Sequence, residues 1–209
     1  IENVWLSYTD KNILEDINLD IYQGDFLLIT GPNGGGKTSL LRTILRLQSP
    51  TKGQITFFRQ GEPVSSLDMG YLPQKNSIDS RFPITVEEVV ASGLMGTQKG
   101  NTKFDSKKEI DEMLDLMGIT ALRNKPIGVL SGGQLQRSLF GRALISKPEM
   151  LILDEPASYI DRQFGNRMFE ILRDLSSNGT TIMMVSHEIE PFITLSNRNL
   201  YINHILGDR

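Results

Sequence analysis

The 209-residue chain contains no cysteine. That excludes a disulfide framework, a thiolate nucleophile and any cysteine metal site, and it fits a reducing compartment. Histidine is nearly as scarce, at two, which with no cysteine leaves no basis for a transition-metal cluster. Positive charge is not in excess: 22 Lys and Arg against 25 Asp and Glu give a net charge of −3. The chain therefore carries no overall electrostatic footprint for nucleic acid, and none is expected as a partner. The longest apolar runs, such as residues 26–29, 150–153 and 182–185, fall far short of the ~20 residues a membrane helix requires. Internal repeats and low-complexity tracts are absent as well. The chain starts at Ile1 and not at methionine, from which a missing residue or segment is expected at that end.

What is present alternates between strand and helix signals within a length that suits one substantial domain. Residues 3–8 and 13–21 read as strands, the second setting Ile17, Leu19 and Ile21 against Asp16, Asn18 and Asp20. Residues 26–30 form a short continuous apolar run, as expected of a strand covered on both faces. Leu40, Leu41, Ile44, Leu45 and Leu47 recur at helical spacing until Ser49-Pro50. Residues 150–153 and 180–185 are further buried-strand candidates, separated by a helix marked by Phe164, Met168, Ile171, Leu172 and Leu175 and closed by Asn178-Gly179. Such alternation predicts a parallel sheet with flanking helices, an α/β fold. Residues 74–148 read mostly as helix, at 86–94, 106–117 and 131–146, with residues 96–101 as a flexible loop.

Three local patterns carry chemistry. Gly31-Pro32-Asn33-Gly34-Gly35-Gly36-Lys37-Thr38 matches the phosphate-binding loop, in which backbone N–H groups wrap phosphates, the lysine reaches the β and γ groups, and the hydroxyl binds Mg²⁺. A strand before it and a helix after it are the context that this loop requires. The loop alone does not separate kinases, GTPases, motors and transport ATPases. Next, residues 151–153 end in Asp154-Glu155-Pro156. Read alone this is a strand-ending turn. After a phosphate loop it becomes a pair of carboxylates dividing the work: Asp154 for the magnesium shell, Glu155 to orient or deprotonate the attacking water. Third, Leu130-Ser131-Gly132-Gly133-Gln134 is by itself a helix-starting capping box, Ser131 with Gln134 three residues on. Its glycine pair is unusual, because glycine disfavours helix by roughly 1 kcal/mol per residue. Two residues without side chains at a helix start bare the N–H groups that attract an anion.

These motifs in this order resemble the nucleotide-binding subunit of an ABC (ATP-binding cassette) transporter, and the resemblance covers essentially the whole chain. It implies a P-loop NTPase core, a mostly parallel sheet with flanking helices and an N-terminal antiparallel β region, at residues 1–73 and 146–209. A helical subdomain carrying the signature is inserted at residues 74–145. It implies ATP and Mg²⁺ as cofactors and two ATP molecules sandwiched in a head-to-tail homodimer. In that arrangement Ser131, Gly132, Gly133 and Gln134 face ATP on the second subunit's phosphate loop. Residues 31–38 and Ser39 would hold the chain's own ATP, with Thr38, Gln74 and Asp154 around the metal. Gln74 in Tyr71-Leu72-Pro73-Gln74 matches the family's lone glutamine, and His187 after the later strand matches its γ-phosphate histidine. Tyr8 is the candidate for stacking on adenine, ahead of Trp5. Asp161 takes the position that links the two sites, although Ala157-Ser158-Tyr159-Ile160-Asp161 departs from the common Ser-Ala-Leu-Asp form. His204 takes no family role and is read as surface.

The same resemblance places the chain peripherally at the cytoplasmic membrane face, with transmembrane permease subunits and an extracytoplasmic solute-binding protein. Gly34-Gly35-Gly36, Leu72-Pro73-Gln74-Lys75-Asn76-Ser77, residues 82–90 and Gly133-Gln134-Leu135-Gln136-Arg137 resemble ATPases of zinc and manganese importers. Import of another small solute, such as an iron chelate, is the alternative. A DNA-repair ATPase shares the motifs but needs a long coiled coil, and residues 74–130 are too few and lack heptads.

Overall fold

The structure, a computed structural model, describes residues 1–9, 11–74, 83–95, 103–187 and 190–208. In chain order the elements are β1 (Glu2–Tyr8), β2 (Lys11–Ile17), β3 (Phe26–Thr30), α1 (Lys37–Ile44), β4 (Lys52–Gln54), β5 (Phe57–Arg59), β6 (Glu62–Val64) and β7 (Met69–Leu72). There follow α2 (Val86–Ala91), α3 (Lys103–Leu116), α4 (Gly132–Leu144), β8 (Met150–Asp154), α5 (Arg162–Ser177), β9 (Thr181–Val185), β10 (Arg198–Asn203) and β11 (Ile205–Asp208). The main sheet runs β11-β10-β3-β9-β8-β7 and is parallel throughout except for the β10–β11 hairpin. A separate antiparallel sheet, β2-β1-β4, comes largely from the N-terminal segment, and β5 and β6 make a hairpin.

Period-two alternation in the central strands divides the interior. Phe26 and Leu28 of β3 join Leu151, Leu153, Ile182 and Met184 on one face, where they pack on residues of α2, α4 and α5. Leu27 and Ile29 face the other way, with Ile152, Met183, Val185 and Ile202, onto Leu40 and Leu41 of α1 and Val4, Leu6 and Leu14 of the antiparallel sheet. Strands covered on both sides read as near-continuous apolar runs, and β8 and β9 are buried at each residue, polar only at the terminal Asp154 and Thr181. Val86, Val89, Val90, Ile110 and Leu114 belong to the same cluster as the first face, so the helices at 86–144 extend one continuous core. Among the described residues no helix is long and apolar enough to cross a membrane.

The strand expected at residues 13–21 pairs only as far as Ile17, although burial keeps alternating through Leu19. Its pairing is interrupted because the Asn18 side chain takes the Asn3 N–H at 2.8 Å. The first helix ends at Ile44 and not at Leu47: Arg46 turns left-handed (φ 56°) and Leu47 is left exposed. Residues 96–101, read from sequence as a flexible loop, lie outside the described residues, as do Lys75, Asn76, Ser77 and Phe82 of the importer-like phrases. Strands β4 to β7, β10 and β11 were not anticipated. The first three have only three residues each, interrupted by Gly53 in β4 and Pro63 in β6.

Candidate functional site

Four segments named from the sequence leave the carboxyl ends of four strands of one parallel sheet: the glycine loop after β3, Gln74 after β7, Asp154 and Glu155 at β8, and His187 after β9. That edge is where open α/β sheets bind ligands. Tyr8, Asn33, Gly34, Gly36, Lys37, Thr38, Ser39, Gln74, Asp154, Glu155 and His187 line one cleft there, joined by Ile13, which the sequence reading did not name. Its volume of about 270 Å³ is slightly below the ~300–1,000 Å³ usual for an enclosed small-ligand site.

The loop's shape depends on its glycines. Gly31 has φ 144°, and a Cβ there would stand 2.0 Å from the Ile202 carbonyl oxygen. Gly36 (φ 98°) is the N-cap of α1 and supplies no side-chain cap, which leaves the helix start to an outside acceptor. Gly31, Pro32 and Gly35 form the back of the loop and do not line the cleft. Lys37 is buried and donates from Nζ to the Gly31 and Pro32 carbonyls, 2.9 Å each. Burial pushes the Lys37 ammonium below its ordinary pKa, while Glu155 and Asp154 nearby pull the other way. A poorly hydrated cation in a ring of backbone dipoles is suited to phosphate.

Thr38 donates from Oγ1 to Asp154 Oδ2 at 2.8 Å. Asp154 is fully buried, and burial lifts its carboxyl above the ordinary range, with Glu155 adding to the rise and Thr38 and Lys37 opposing it. Asp154 Oδ1 and Glu155 Oε1 are buried without a hydrogen bond. Such oxygens normally find a partner, so this carboxylate pair is incomplete as the chain stands. Glu155 takes a left-handed backbone (φ 55°), held by its N–H donating to the Val185 carbonyl at 2.9 Å. A non-glycine residue there costs of order 1–3 kcal/mol and is found where geometry serves a site. His187 Nε2 lies 3.1 Å from Glu155 Oε1 without the alignment of a hydrogen bond. Tyr8 is half-exposed at the end of β1, its hydroxyl donating to Gln48 at 2.7 Å. Trp5 is absent from the cleft lining and lies under the Lys52 ammonium.

The signature residues gather elsewhere. Ser131 is the N-cap of α4, and both halves of the capping box form: Gln134 N–H to Ser131 Oγ at 3.3 Å, and Ser131 N–H to Gln134 Oε1 at 3.1 Å. Ser131, Gly132, Gly133 and Gln134 line a second cavity of about 510 Å³ with Arg137, Tyr159 and Asp161. A Cβ on Gly133 would meet the Tyr159 carbonyl oxygen at 2.7 Å, so close packing requires the second glycine. Asp161 caps α5, accepting the Phe164 N–H at 2.9 Å, and is ion-paired to Arg137. Within one chain the structure thus brings the phosphate loop, carboxylates, Gln74, His187 and Tyr8 together, and sets the signature and Asp161 in a second place.

Sequence reasoning missed Arg137 and Tyr159; the departure from the Ser-Ala-Leu-Asp form was the one available signal for Tyr159. His204, expected at the surface without a role, is a correction. It is half-buried, its N–H donates to the Gly35 carbonyl at 2.9 Å, and its ring nitrogen Nδ1 lies 3.2 Å from the Ile13 carbonyl.

Residues 14–158 match the family model described as ABC transporter. A Chlamydia pneumoniae protein named "Probable metal transport system ATP-binding protein" is 40% identical over 93% of this chain and 81% of its own length. The zinc import ATP-binding protein of Haemophilus influenzae is 34% identical over 97% of this chain and 70% of its own. A dimeric ATP-binding cassette solved in a post-hydrolysis state with ADP and Pi superposes with a TM-score of 0.83 at 24% identity, covering 99% of this chain and 97% of that one. At that identity the likeness concerns the fold.

Proposed function

This chain belongs to the ABC transporter family and is an ATP-hydrolysing cassette, and from that premise we propose that it powers import of a metal ion of the zinc or manganese class. The observation that carries the ATPase site is the pair of buried carboxylate oxygens that make no hydrogen bond, Asp154 Oδ1 and Glu155 Oε1, in the cleft of the phosphate loop. The metal class rests on relatives named for metal transport and zinc import, together with the importer-like phrases in the sequence. The cargo would pass through permease subunits and a solute-binding protein, with this chain peripheral at the cytoplasmic face. The part of the helical lobe around Gln74 and residues 82–90 would grip a permease subunit.

Each residue's task follows from its surroundings. Lys37, desolvated and resting on two carbonyls, exchanges them for the β- and γ-phosphates of ATP. Tyr8 stacks on the base. Asp154 Oδ1, buried beside the Thr38 hydroxyl, fits Mg²⁺: Thr38, Asp154 and Gln74 would hold it, and bound there it neutralises phosphate charge. Glu155, its backbone strained and its Oε1 free of hydrogen bonds, orients water and accepts its proton, with His187 beside it against the γ-phosphate. Ser131 and Gly133 act on the ATP of a second copy, because in their own chain they line a different cavity from Lys37.

Glu155→Gln is expected to lower ATP turnover at least ~100-fold while nucleotide affinity persists. Near-normal hydrolysis by that variant removes Glu155 from its role. Cargo is tested by uptake through the assembled transporter with zinc, manganese and iron chelates in competition; indifference to every divalent metal overturns metal import.

A further inference from the structure

We propose that His204 is a positioning residue for the nucleotide site, a brace that fixes the distance between the phosphate loop and the wall that meets the nucleoside. The inference rests on the ATP site described above and adds to it a residue that touches neither ATP nor the reacting atoms.

His204 forms the corner of the β10–β11 hairpin, where Asn203 pairs with Ile205, and its backbone is left-handed at φ 64°. Three bonds leave this corner in different directions. Its N–H donates to the Gly35 carbonyl of the phosphate loop at 2.9 Å, and its carbonyl accepts the Glu15 N–H of β2 at 2.8 Å. Its ring Nδ1 stands 3.2 Å from the Ile13 carbonyl, also in β2. A carbonyl only accepts, so Nδ1 carries the proton and donates. The adjoining strand presses on the same loop, since the Ile202 carbonyl oxygen would lie 2.0 and 2.8 Å from a Cβ on Gly31 and on Gly35. From the opposite side the Ile13 carbonyl oxygen would stand 2.7 Å from a Cβ on Gly36. The loop is therefore held between β10 and β2; the His204 backbone joins the two jaws, and its ring adds the bond that reaches the Ile13 carbonyl. Ile13 itself lines the cleft with Tyr8, so the tie sets how far the nucleoside wall stands from the phosphate ring.

Three substitutions separate ring, backbone and tautomer. His204→Gly keeps the left-handed corner and removes only the ring. The ring's bond acts on binding only by pre-organising the site, so its energy of about 1 kcal/mol, roughly fivefold in an equilibrium, is the ceiling, and affinity for a fluorescent ATP analogue, titrated on the purified chain, is expected to weaken about two- to fivefold. KM for ATP in the assembled transporter should rise by the same factor, with kcat within about twofold. His204→Asn tolerates positive φ and places an amide N–H where Nδ1 stands; it should restore affinity. His204→Gln, whose amide corresponds to Nε2, should not. The brace is overturned if the Gly variant binds like the parent, or if Gln restores affinity as well as Asn. Lys37→Ala is the companion measurement. Binding lost in Lys37→Ala but intact in His204→Gly refutes the brace alone, whereas binding intact in Lys37→Ala refutes the nucleotide site and the brace with it. If the Gly variant does not fold, the Asn and Gln variants still decide.

Discussion

Gly70→Ala is expected to damage this fold far more than its one added carbon suggests. Gly70 lies in β7, opposite Leu151 of β8, and α4 crosses directly over it. A Cβ at Gly70 would stand 2.1 Å from the Ala143 carbonyl oxygen, 3.0 Å from its carbonyl carbon and 3.1 Å from Leu151 Cδ1. The leucine tip can rotate away; the helix backbone cannot. Ala143 and Leu144 are buried in the larger core cluster, and a Cβ on Gly93 would likewise stand 2.1 Å from the neighbouring Arg142 carbonyl oxygen. The strain has no soft direction of release, so the cost falls near the upper end of overpacking, about 3 kcal/mol. For a chain of this size, where 1 kcal/mol moves Tm by about 2–4 °C, melting should drop by about 6–12 °C. Gly165→Ala supplies the internal control. Gly165 sits inside α5 with nothing within 4 Å of its added carbon, and alanine there should stabilise by about 0.5–1 kcal/mol, a rise of roughly 1–4 °C. Both are read by thermal unfolding of nucleotide-free protein under identical conditions. A Gly70→Ala melting point within about 2 °C of the parent would falsify the close-packing argument.

Asp154 supplies a pH prediction whose sign runs against the usual carboxylate. Its pKa in the folded chain is raised, chiefly by burial, so between the unfolded and folded values the native state holds more protons, and stability falls as pH rises through that window. Asp154→Asn should therefore raise the melting temperature of the nucleotide-free chain at neutral pH and flatten its acid-side dependence, while magnesium-dependent hydrolysis is lost; an unchanged or lower melting point contradicts the burial argument. Ser131→Arg removes the cap of α4, worth about 1 kcal/mol, and fills the place proposed for a second copy's phosphate. ATP affinity of the isolated chain should stay within about twofold, because Ser131 is outside the cleft, while cooperative hydrolysis disappears; retained cooperativity ends the shared-site reading.

The contiguous parts of the site were legible because each is local. The phosphate loop, the Asp154-Glu155 pair and the capping box of Ser131 with Gln134 sit within a few residues, and backbone physics at that range leaves a readable pattern. β3, β8 and β9 were legible for a related reason, burial on both faces making four consecutive positions of each apolar. What was hidden is nonlocal. No periodicity in residues 198–208 reveals that Ile202 presses on Gly31, or that His204 bonds both to Gly35 and, 191 positions away, to Ile13. β7 escaped notice because four residues, one of them a glycine, give no alternation to count. That glycine is there for α4, which the sequence places seventy residues later.

The ends of α1 and α4 show how the two glycine-rich starts differ. Both begin with bared backbone donors, yet α4 is capped from within by Ser131 and Gln134, whereas α1 begins at a left-handed glycine with no side-chain cap. A helix that caps itself is stable before any ligand arrives and can be presented as a preformed surface. One whose first donors await a partner gains most when an anion binds. The signature end is thus built to wait, and the phosphate loop to be filled. The two line different cavities of one chain, which agrees with the proposal that the preformed end meets an ATP held by a second copy. Its natural counterpart is the filled loop of a second copy, and that asymmetry between a finished and an unfinished helix start is the physical reason for expecting a head-to-tail pair.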